Sequence, residues 1–374
     1  MRIIRIIFRT IVGLTFMFSG FVKGIDPLGS VYKFNEYFEV YGMEWLSPLA
    51  LFLAVLLCAI EFTIGVMLVF GVKPKLSAWL SFIMMFFFTG LTFLSAINNP
   101  VSDCGCFGDA VKLTNWETFY KNVVLIILVL FLLFTYKFAK SAFKVKNEIS
   151  IIILGAGLIV FVSIYSLRHL PVIDFLPWKV GNKISEQMTP IPEISESILV
   201  YKDKITSDTF QYTAKTLPYK DSAKWASIKY DTTIKKITQE FKEAPIHDFI
   251  ISDFEGDTLT DSIVANPGYQ FILVAHDLTE TNKIIYAEIN KFVEGCDKDS
   301  ISFVGLTGTI QETVEIFRHD VNAIFQFYNV DETALKSMVR ANPGILLLKD
   351  GVVLAKWHWR DLPIYEEVKK DYLK

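Results

Sequence analysis

The sequence predicts a bundle of membrane-spanning helices followed by a water-soluble α/β region. The 374-residue chain is 52% hydrophobic and has a mean hydropathy of +0.38, which is too apolar for a soluble protein of this length. Residues 1–170 carry 14 lysines and arginines against 9 acidic residues, whereas residues 171–374 carry 23 against 31. This division fits an embedded first half and a soluble second half. The acidic balance, without a basic stripe interleaved with aromatic residues, argues against nucleic-acid binding.

Five apolar stretches are long enough to cross a lipid bilayer, which takes roughly 20 helical residues. They lie near residues 3–22, 48–70, 76–97, 118–136 and 149–168. The first has the basic start of a signal peptide, but Arg5 and Arg9 interrupt its apolar run, and no small-residue cleavage site follows before Lys23. We therefore expect the first stretch to be retained as a membrane helix.

The distribution of basic residues predicts the orientation of these spans. With the N-terminus inside, nine lysines and arginines fall in the inner segments, whereas the two outer loops, 23–47 and 98–117, hold only Lys23, Lys33 and Lys112. Because basic residues are enriched in cytoplasmic loops, the N-terminus is expected in the cytoplasm. Five spans then place everything after residue 168 outside, which in a bacterial inner membrane is the periplasm, where disulfides persist.

The region after the fifth span divides into two parts. Residues 171–243 contain a proline-rich segment and then β-favouring runs such as SILVYK and TFQYTAK, which predict a linker and a small strand-rich subdomain. From residue 244 onward, apolar strands alternate with helices near 280–295, 309–319 and 331–340, which predicts an α/β layered domain over 244–374. The strands read FIISDF, YQFILVAHD, ISFVGLTG, AIFQFYNV, ILLLKDG and VVLAKWHW.

Two segments of this last region, APIHDFIISDFEGDTL and NPGILLLKDGVVLAKW, resemble thioredoxin-like domains of the peroxiredoxin and periplasmic thiol-reductase type. The resemblance implies a thioredoxin-like fold over 244–374, with Pro343 in the cis-proline position. Enzymes of this fold carry CxxC after the first core strand, where a helix N-terminus lowers the thiol pKa. Residues 276–282 read HDLTETN at that place. The domain is therefore expected to bind or scaffold a partner rather than to exchange thiols itself.

The membrane half carries three motifs: SGFVKGIDP at 19–27, CAIEFTIGVMLVFG at 58–71 and DCGCFGD at 103–109. Together they resemble the DoxX/MauE group of small membrane proteins, four-helix modules linked to redox maturation in the periplasm. The resemblance implies a four-helix module over residues 1–137. A basic loop and a fifth helix, residues 138–170, follow it.

Cys104 and Cys106 are the only closely spaced pair among the four cysteines of the chain. Two thiols separated by Gly105, whose backbone freedom permits closure, can form a small, strained and comparatively oxidising disulfide ring. A redox pair, a glycine-rich turn that merely tolerates cysteines, and a metal site all remain open, and we favour the first. Zinc and iron–sulfur sites usually need four ligands, and no histidine lies nearby in sequence. No metal is therefore expected.

Cys58 and Glu61 lie three positions apart on one face of the second span. Cys58 is expected ~15 Å below the outer surface, packed as a small buried residue unless the 98–117 loop folds down to meet it. An ionisable side chain near the bilayer midplane costs roughly 2.5–3.5 kcal/mol and normally faces the bundle interior. Glu61 is therefore a candidate proton relay, or a protonated anchor hydrogen-bonded to a hydroxyl stripe on the third span. This stripe consists of Thr89, Thr92 and Ser95.

Three other features have simpler interpretations. Lys23 either pairs with Asp26 at the interface or extends to the lipid headgroups. Residues 31–46, VYKFNEYFEVYGMEWL, are expected to form an interfacial helix. Cys296 is expected to be structural, and the histidine spacing predicts no metal site.

Three functions fit these features, and we favour the first. An inner-membrane protein could serve thiol–disulfide handling or protein maturation, with Cys104 and Cys106 exchanging electrons with a periplasmic client or oxidoreductase that the soluble domain keeps close. A non-enzymatic assembly factor or membrane subunit could use the cysteine pair only to pin a loop. The bundle around Glu61 could also hold a small molecule or a quinone, although the sequence firmly implies no cofactor.

Overall fold

A computed structural model of the protein describes residues 2–99, 101, 104–141, 143–247 and 249–373. Asp103 of the DCGCFGD motif and Asp248 of the APIHDFIISDF segment lie outside the described residues. A helical region ends at Arg168, and an α/β region follows it.

The helical region contains the long apolar helices that the sequence predicts. It consists of α1 (Arg2–Ile25), α2 (Pro27–Val40), α3 (Ala50–Phe70), α4 (Pro74–Asn98), α5 (Asn115–Thr135) and α6 (Val145–Arg168). Within the described part of the chain, all of these except α2 belong to segments long and apolar enough to cross a membrane. The five-span prediction and a membrane location are therefore confirmed.

Glycines allow α1 and α3 to come into close contact. A Cβ atom on Gly65 would lie 2.5 Å from the backbone nitrogen of Met17, and one on Gly20 would lie 2.6 Å from that of Phe62. Backbone atoms cannot move aside as a flexible side chain can, so this approach requires glycine, as is common between membrane helices. The close approach aligns the faces of α1 and α3 that line the bundle interior.

Helix α2 follows α1 after a single residue. The Asp26 carboxylate accepts the backbone N–H of Gly29 at 2.9 Å, and Pro27 occupies the first turn, a favoured arrangement at a helix start. The predicted helix over 31–46 therefore begins earlier, at Pro27, and ends at Val40. A 3₁₀ turn, Glu44–Leu49, leads into α3.

The connection between α4 and α5 is anchored at its ends. The Asn115 side-chain amide donates to Asn99 Oδ1 at 2.7 Å and to the Val101 carbonyl at 2.9 Å. Thr114 and Glu117 form a reciprocal capping box that starts α5. These contacts fix the ends of the segment that contains residues 104–110, which we call the cysteine loop.

The α/β region begins with a three-stranded antiparallel sheet. Its strand order is β2-β1-β3. Strand β1 contains the predicted run SILVYK, and β2 contains the first four residues of TFQYTAK. The elements of this part are α7 (Ile184–Gln187), β1 (Ile194–Asp203), β2 (Thr209–Tyr212), α8 (Ser222–Ser227) and β3 (Ile228–Gln239).

A second, five-stranded sheet follows, in the order β6-β5-β4-β7-β8. Strands β4, β5 and β6 are parallel, whereas β7 and β8 are antiparallel, and buried apolar side chains cover both faces. The peptide bond between Asn342 and Pro343 is cis. The elements are α9 (Thr260–Val264), β4 (Tyr269–Val274), α10 (Tyr286–Lys298), β5 (Ser302–Thr307), α11 (Gln311–Val321), β6 (Gln326–Asn329), α12 (Glu332–Met338), β7 (Gly344–Lys349), β8 (Val352–His358) and α13 (Tyr365–Tyr372).

The prediction of a strand at FIISDF, residues 249–254, is wrong. Within it only Ser252 forms isolated bridges, and no strand is present there among the described residues. The Asp253 side chain instead accepts the backbone N–H groups of residues 255–257. These local hydrogen bonds close a turn, which competes with a strand ladder.

Candidate functional site

Cys104 and Cys106 lie side by side in the cysteine loop. Their Sγ atoms are 3.4 Å apart, and both thiols are free. Since a disulfide bond is about 2.05 Å long, closing it requires the sulfurs to approach by roughly 1.4 Å. Gly105 between them has φ +64°, and a Cβ atom there would lie 2.9 Å from Cγ of Lys33. The loop conformation therefore requires glycine at its centre.

The surroundings of the two thiols make them electrostatically unequal. A hydrogen bond from Cys104 and the positive charges of Lys121 and Lys23 lower the pKa of Cys106 to about 6, although burial acts in the opposite direction. The same hydrogen bond and burial raise the pKa of Cys104. These shifts favour Cys106 as the thiolate of the pair and Cys104 as the thiol that keeps its proton.

The cysteine loop folds down into the bundle, where it meets Ser19 of α1. The Ser19 hydroxyl lies 2.7 Å from the carbonyl oxygen of Cys106 and 2.8 Å from Oε2 of Glu61. One side chain thus connects the backbone of the cysteine loop with the buried carboxylate of α3.

Glu61 pairs with Lys23 inside the bundle. The Lys23 Nζ atom lies 2.9 Å and 2.8 Å from the two carboxylate oxygens and donates to Ser19 at 3.0 Å. The two side chains are only 8% and 6% exposed. The prediction that Lys23 pairs with Asp26 or extends to the headgroups is therefore wrong. An ammonium and a carboxylate attract each other more strongly in the low dielectric of the bundle interior than at the solvated interface.

The hydroxyl stripe of the third span does not bind Glu61, so that prediction is wrong too. Thr89 and Thr92 donate to carbonyl groups one turn earlier in α4, at 2.6 Å and 2.7 Å. Ser95 faces the Tyr37 hydroxyl at 3.4 Å. The two threonines find acceptors on their own helix, because the carbonyl four residues earlier is within reach of a threonine hydroxyl. Ser95 contacts α2 instead.

Cys58 lies fully buried on α3 where this helix meets α6. Its Sγ atom is 3.5 Å from the Ser163 hydroxyl and 3.1 Å from the Val55 carbonyl. Apolar side chains, among them Phe62 and Ile159, surround it. Although the cysteine loop folds down, the Cys58 sulfur contacts Ser163 rather than either loop cysteine.

A cavity of about 410 Å³ adjoins the cysteine loop inside the bundle. Its apolar lining includes leucine, isoleucine and phenylalanine side chains of α3 and α4 and aromatic side chains of α2. The polar lining residues include Ser19, Lys23, Glu61, Lys121 and Asn122, and residues 104–107 line it as well. The cavity is thus apolar in its body and polar where it meets the redox candidates.

Sequence reasoning missed Ser19, Lys121 and Asn122 as site residues. Lys121 lies over the Phe107 ring at 4.1 Å, and Asn122 donates to Thr92 at 3.2 Å. The available signal was a polar residue inside an otherwise apolar span, the same signal that singled out Glu61.

The α/β region contacts the cysteine loop through Arg340, which lies between α12 and β7. Its Nε atom is 2.8 Å from Asp26, and its Nη2 atom is 2.8 Å from Asp109. The guanidinium also stacks on Tyr32, 5.2 Å from the ring centre. Asp109 lies three residues after Cys106, so this contact joins the α/β region to the cysteine loop directly.

The α/β region has no dithiol of its own in the part that the structure describes. The HDLTETN segment, residues 276–282, forms a loop after β4. Cys296 lies in the core under α10, where burial raises its pKa to about 12. Among the described residues, no three metal-ligating side chains cluster together.

The first four spans carry the CGC motif in the loop between α4 and α5. Residues 1–135 match the family model of the methylamine utilisation protein MauE. The resemblance predicted for residues 1–137 is thereby confirmed over 1–135, and we call this part the MauE-like module. No curated protein and no solved structure matches the chain. The thioredoxin-like resemblance of residues 244–374 stays a prediction.

Proposed function

We propose that the protein exchanges thiols and disulfides at the outer face of a bacterial inner membrane, through Cys104 and Cys106. The observation that carries the proposal is the 3.4 Å contact between two free thiols, one of which lies beside two lysine charges. In the exchange, the Cys106 thiolate attacks a disulfide of a client protein and forms a mixed disulfide. Cys104 then attacks Cys106 Sγ, which releases the client thiol and leaves the pair oxidised. The same steps in reverse transfer the disulfide to a client dithiol and leave the pair reduced.

The proposal includes an orientation with the N-terminus in the cytoplasm and the cysteine loop and α/β region in the periplasm. The excess of basic residues in the inner loops supports it. The contact of Arg340 with Asp109 supports a shared side for the cysteine loop and the α/β region. The MauE match is consistent with a membrane protein that serves maturation in methylamine utilisation.

We assign to the α/β region a thioredoxin-like fold without thiol chemistry. Two parallel strands, β4 and β5, next to an antiparallel β7–β8 pair support this assignment. The region would hold a periplasmic client or oxidoreductase near the cysteine loop, which raises the local concentration of that partner without tight binding.

Thiol trapping in intact cells tests the exchange proposal. Alkylation followed by electrophoresis should show a mixture of reduced and oxidised pairs that shifts when a membrane-impermeant reductant is added. Cys104→Ser should accumulate a mixed disulfide through Cys106, because the resolving thiol is gone. The same substitution at the buried Cys296 is the matched control and should trap nothing. A permanently oxidised pair, together with full function of both loop Cys→Ser variants, would leave the assembly-factor alternative.

A further inference from the structure

The cavity beside the cysteine loop is accessible from the membrane side. Three of its lining residues, Leu56 and Ile60 of α3 and Phe87 of α4, are exposed by 41%, 38% and 61%. All three belong to segments that cross the membrane, so their exposed surface faces hydrocarbon. A ligand can therefore enter from the lipid, and it must itself be lipid-soluble.

The polar part of the cavity is suited to a redox-active ligand. Cys104 and Cys106 line it, and the Lys121 ammonium, which also lines it, lies 4.1 Å from the centre of the Phe107 ring. An ammonium group stabilises negative charge that develops on a ligand oxygen, and it donates hydrogen bonds to a carbonyl. A plain acyl chain would use neither the charge nor the thiols.

We propose that this cavity binds a membrane quinone and that the quinone takes the electrons of the Cys104–Cys106 pair. This inference rests on the proposed exchange function, taken in the direction in which a client dithiol reduces the Cys104–Cys106 disulfide, and it names the electron acceptor that restores the disulfide. A quinone combines the required properties: an apolar ring and tail for the body of the cavity, two carbonyl oxygens for the polar end, and a capacity for two electrons.

The electron and proton balance of the step is complete. The Cys106 thiolate and the Cys104 thiol form one S–S bond, and the Cys104 S–H bond breaks. Two electrons pass from the sulfurs to the quinone ring. One quinone oxygen takes the proton of Cys104 and the other takes a proton from the Lys121 ammonium, which regains it from water. The products are the disulfide and the quinol.

The test uses the full chain in lipid nanodiscs with the cysteine pair reduced and decylubiquinone as the probe. Quinol formation is followed by ultraviolet absorbance, and the thiols are counted by alkylation and mass spectrometry. The wild type should form one quinol for each pair that it oxidises. Ile60→Trp, which fills the exposed mouth of the cavity, should slow quinone reduction roughly ten-fold or more. Ile153→Trp, on the exposed face of α6 and away from the cavity, is the matched control and should leave the rate unchanged.

Diamide, a soluble thiol oxidant, separates failure of this inference from failure of the exchange function. Diamide should oxidise the pair equally well in wild type and Ile60→Trp. If diamide oxidises the pair but the quinone does not, or if Ile60→Trp reduces the quinone at the wild-type rate, the quinone assignment is overturned while thiol exchange stands. If neither oxidant joins the two sulfurs, both proposals are overturned. Recovery of phospholipid alone from the purified protein, with no quinone reduction, identifies the occupant as a lipid and also overturns the assignment.

Discussion

At the scale of single residues, Cys104 and Cys106 are chemically unequal although one glycine separates them. The Cys104 thiol donates to its neighbour, and the lysines at positions 23 and 121 place their positive charge near Cys106. A free thiol pair in water would have no such order, because both groups would titrate near pH 8.5. Under the proposed exchange function, this asymmetry makes Cys106 the nucleophile and Cys104 the resolving thiol before any client binds.

Alkylation of Cys106 should titrate with a midpoint near pH 6. The thiolate is the reactive form, so the rate rises as pH rises through the lowered pKa and is level by about pH 8, where an ordinary thiol is still mostly protonated. Lys121→Met should move the midpoint upward, because it removes a charge that stabilises the thiolate. Site-resolved mass spectrometry after timed treatment with iodoacetamide measures both midpoints. A wild-type midpoint near pH 8.5 would contradict the prediction.

Removing one charge of the Lys23–Glu61 pair should lower the free energy of unfolding more than removing both. Glu61→Gln leaves a buried ammonium without its partner, and Lys23→Met leaves a buried carboxylate, so each should lower the free energy of unfolding by about 3–5 kcal/mol. The double variant should recover much of this loss. Thermal unfolding in detergent, followed by tryptophan fluorescence, gives the four values of the cycle.

An exposed ion pair of the three-stranded sheet is the control for this cycle. Lys202 and Asp231 lie 3.0 Å apart with side chains 50% and 36% exposed, so Asp231→Asn should change stability by only about 0–1 kcal/mol. Strictly additive losses in the Lys23–Glu61 double variant would show that the two charges do not depend on each other.

At the scale of elements, the contact of α1 with α3 builds the site, because it brings Ser19 and Lys23 against Glu61. Gly65 and Gly20 permit this approach. The cavity is lined by residues of α1 to α5, and the cysteine loop adjoins it. Helix packing therefore decides which polar groups meet.

Gly65→Ala should destabilise the helical region, whereas Gly157→Ala should not. The added methyl at Gly65 meets backbone atoms of α1 at 2.5 Å and 2.7 Å, so the helices must separate, at a cost of about 1–3 kcal/mol. Gly157, on α6, has open space around it, and alanine there should be neutral or slightly favourable. Thermal unfolding of both variants in the same detergent measures the difference. Equal stability would contradict close packing of α1 on α3.

The sequence predicts the spans well because length and apolarity alone determine them. It also singles out Glu61, Cys104 and Cys106, because a charge in a span and a CGC motif are local signals. The partner of Glu61 is not local: Lys23 lies 38 positions away, and only the packing of α1 on α3 brings the two together. The FIISDF strand fails for the opposite reason, since a local turn formed by Asp253 overrides its apolar pattern.

At the scale of the whole molecule, Arg340 makes the α/β region part of the cysteine site. Its side chain is only 6% exposed and lies between Asp26, which begins α2, and Asp109 of the cysteine loop. Two carboxylates from separate elements therefore converge on one guanidinium. The position of the α/β region and the conformation of the loop are expected to change together.

Arg340→Gln should loosen the cysteine loop. The neutral side chain leaves Asp26 and Asp109 without a shared cation, so amide hydrogen exchange in residues 105–110 should become faster. Arg318→Gln is the matched control, because Arg318 forms an ion pair with Glu315 of the same helix, a residue that is 56% exposed. Hydrogen exchange with mass spectrometry compares the two. Unchanged protection of the loop in Arg340→Gln would show that the loop holds its conformation without the α/β region.

The Ser19 hydroxyl has a single hydrogen to donate and two acceptors within reach. Glu61 Oε2 and the Cys106 carbonyl, at 2.8 Å and 2.7 Å, compete for this hydrogen. The Lys23 ammonium donates to the Ser19 oxygen. When the carboxylate is charged, it is the stronger acceptor. When it is neutralised, the hydrogen is free to turn to the carbonyl. Ser19 thus couples the charge of a buried acid to the peptide group of Cys106, the cysteine that the proposed function makes the nucleophile.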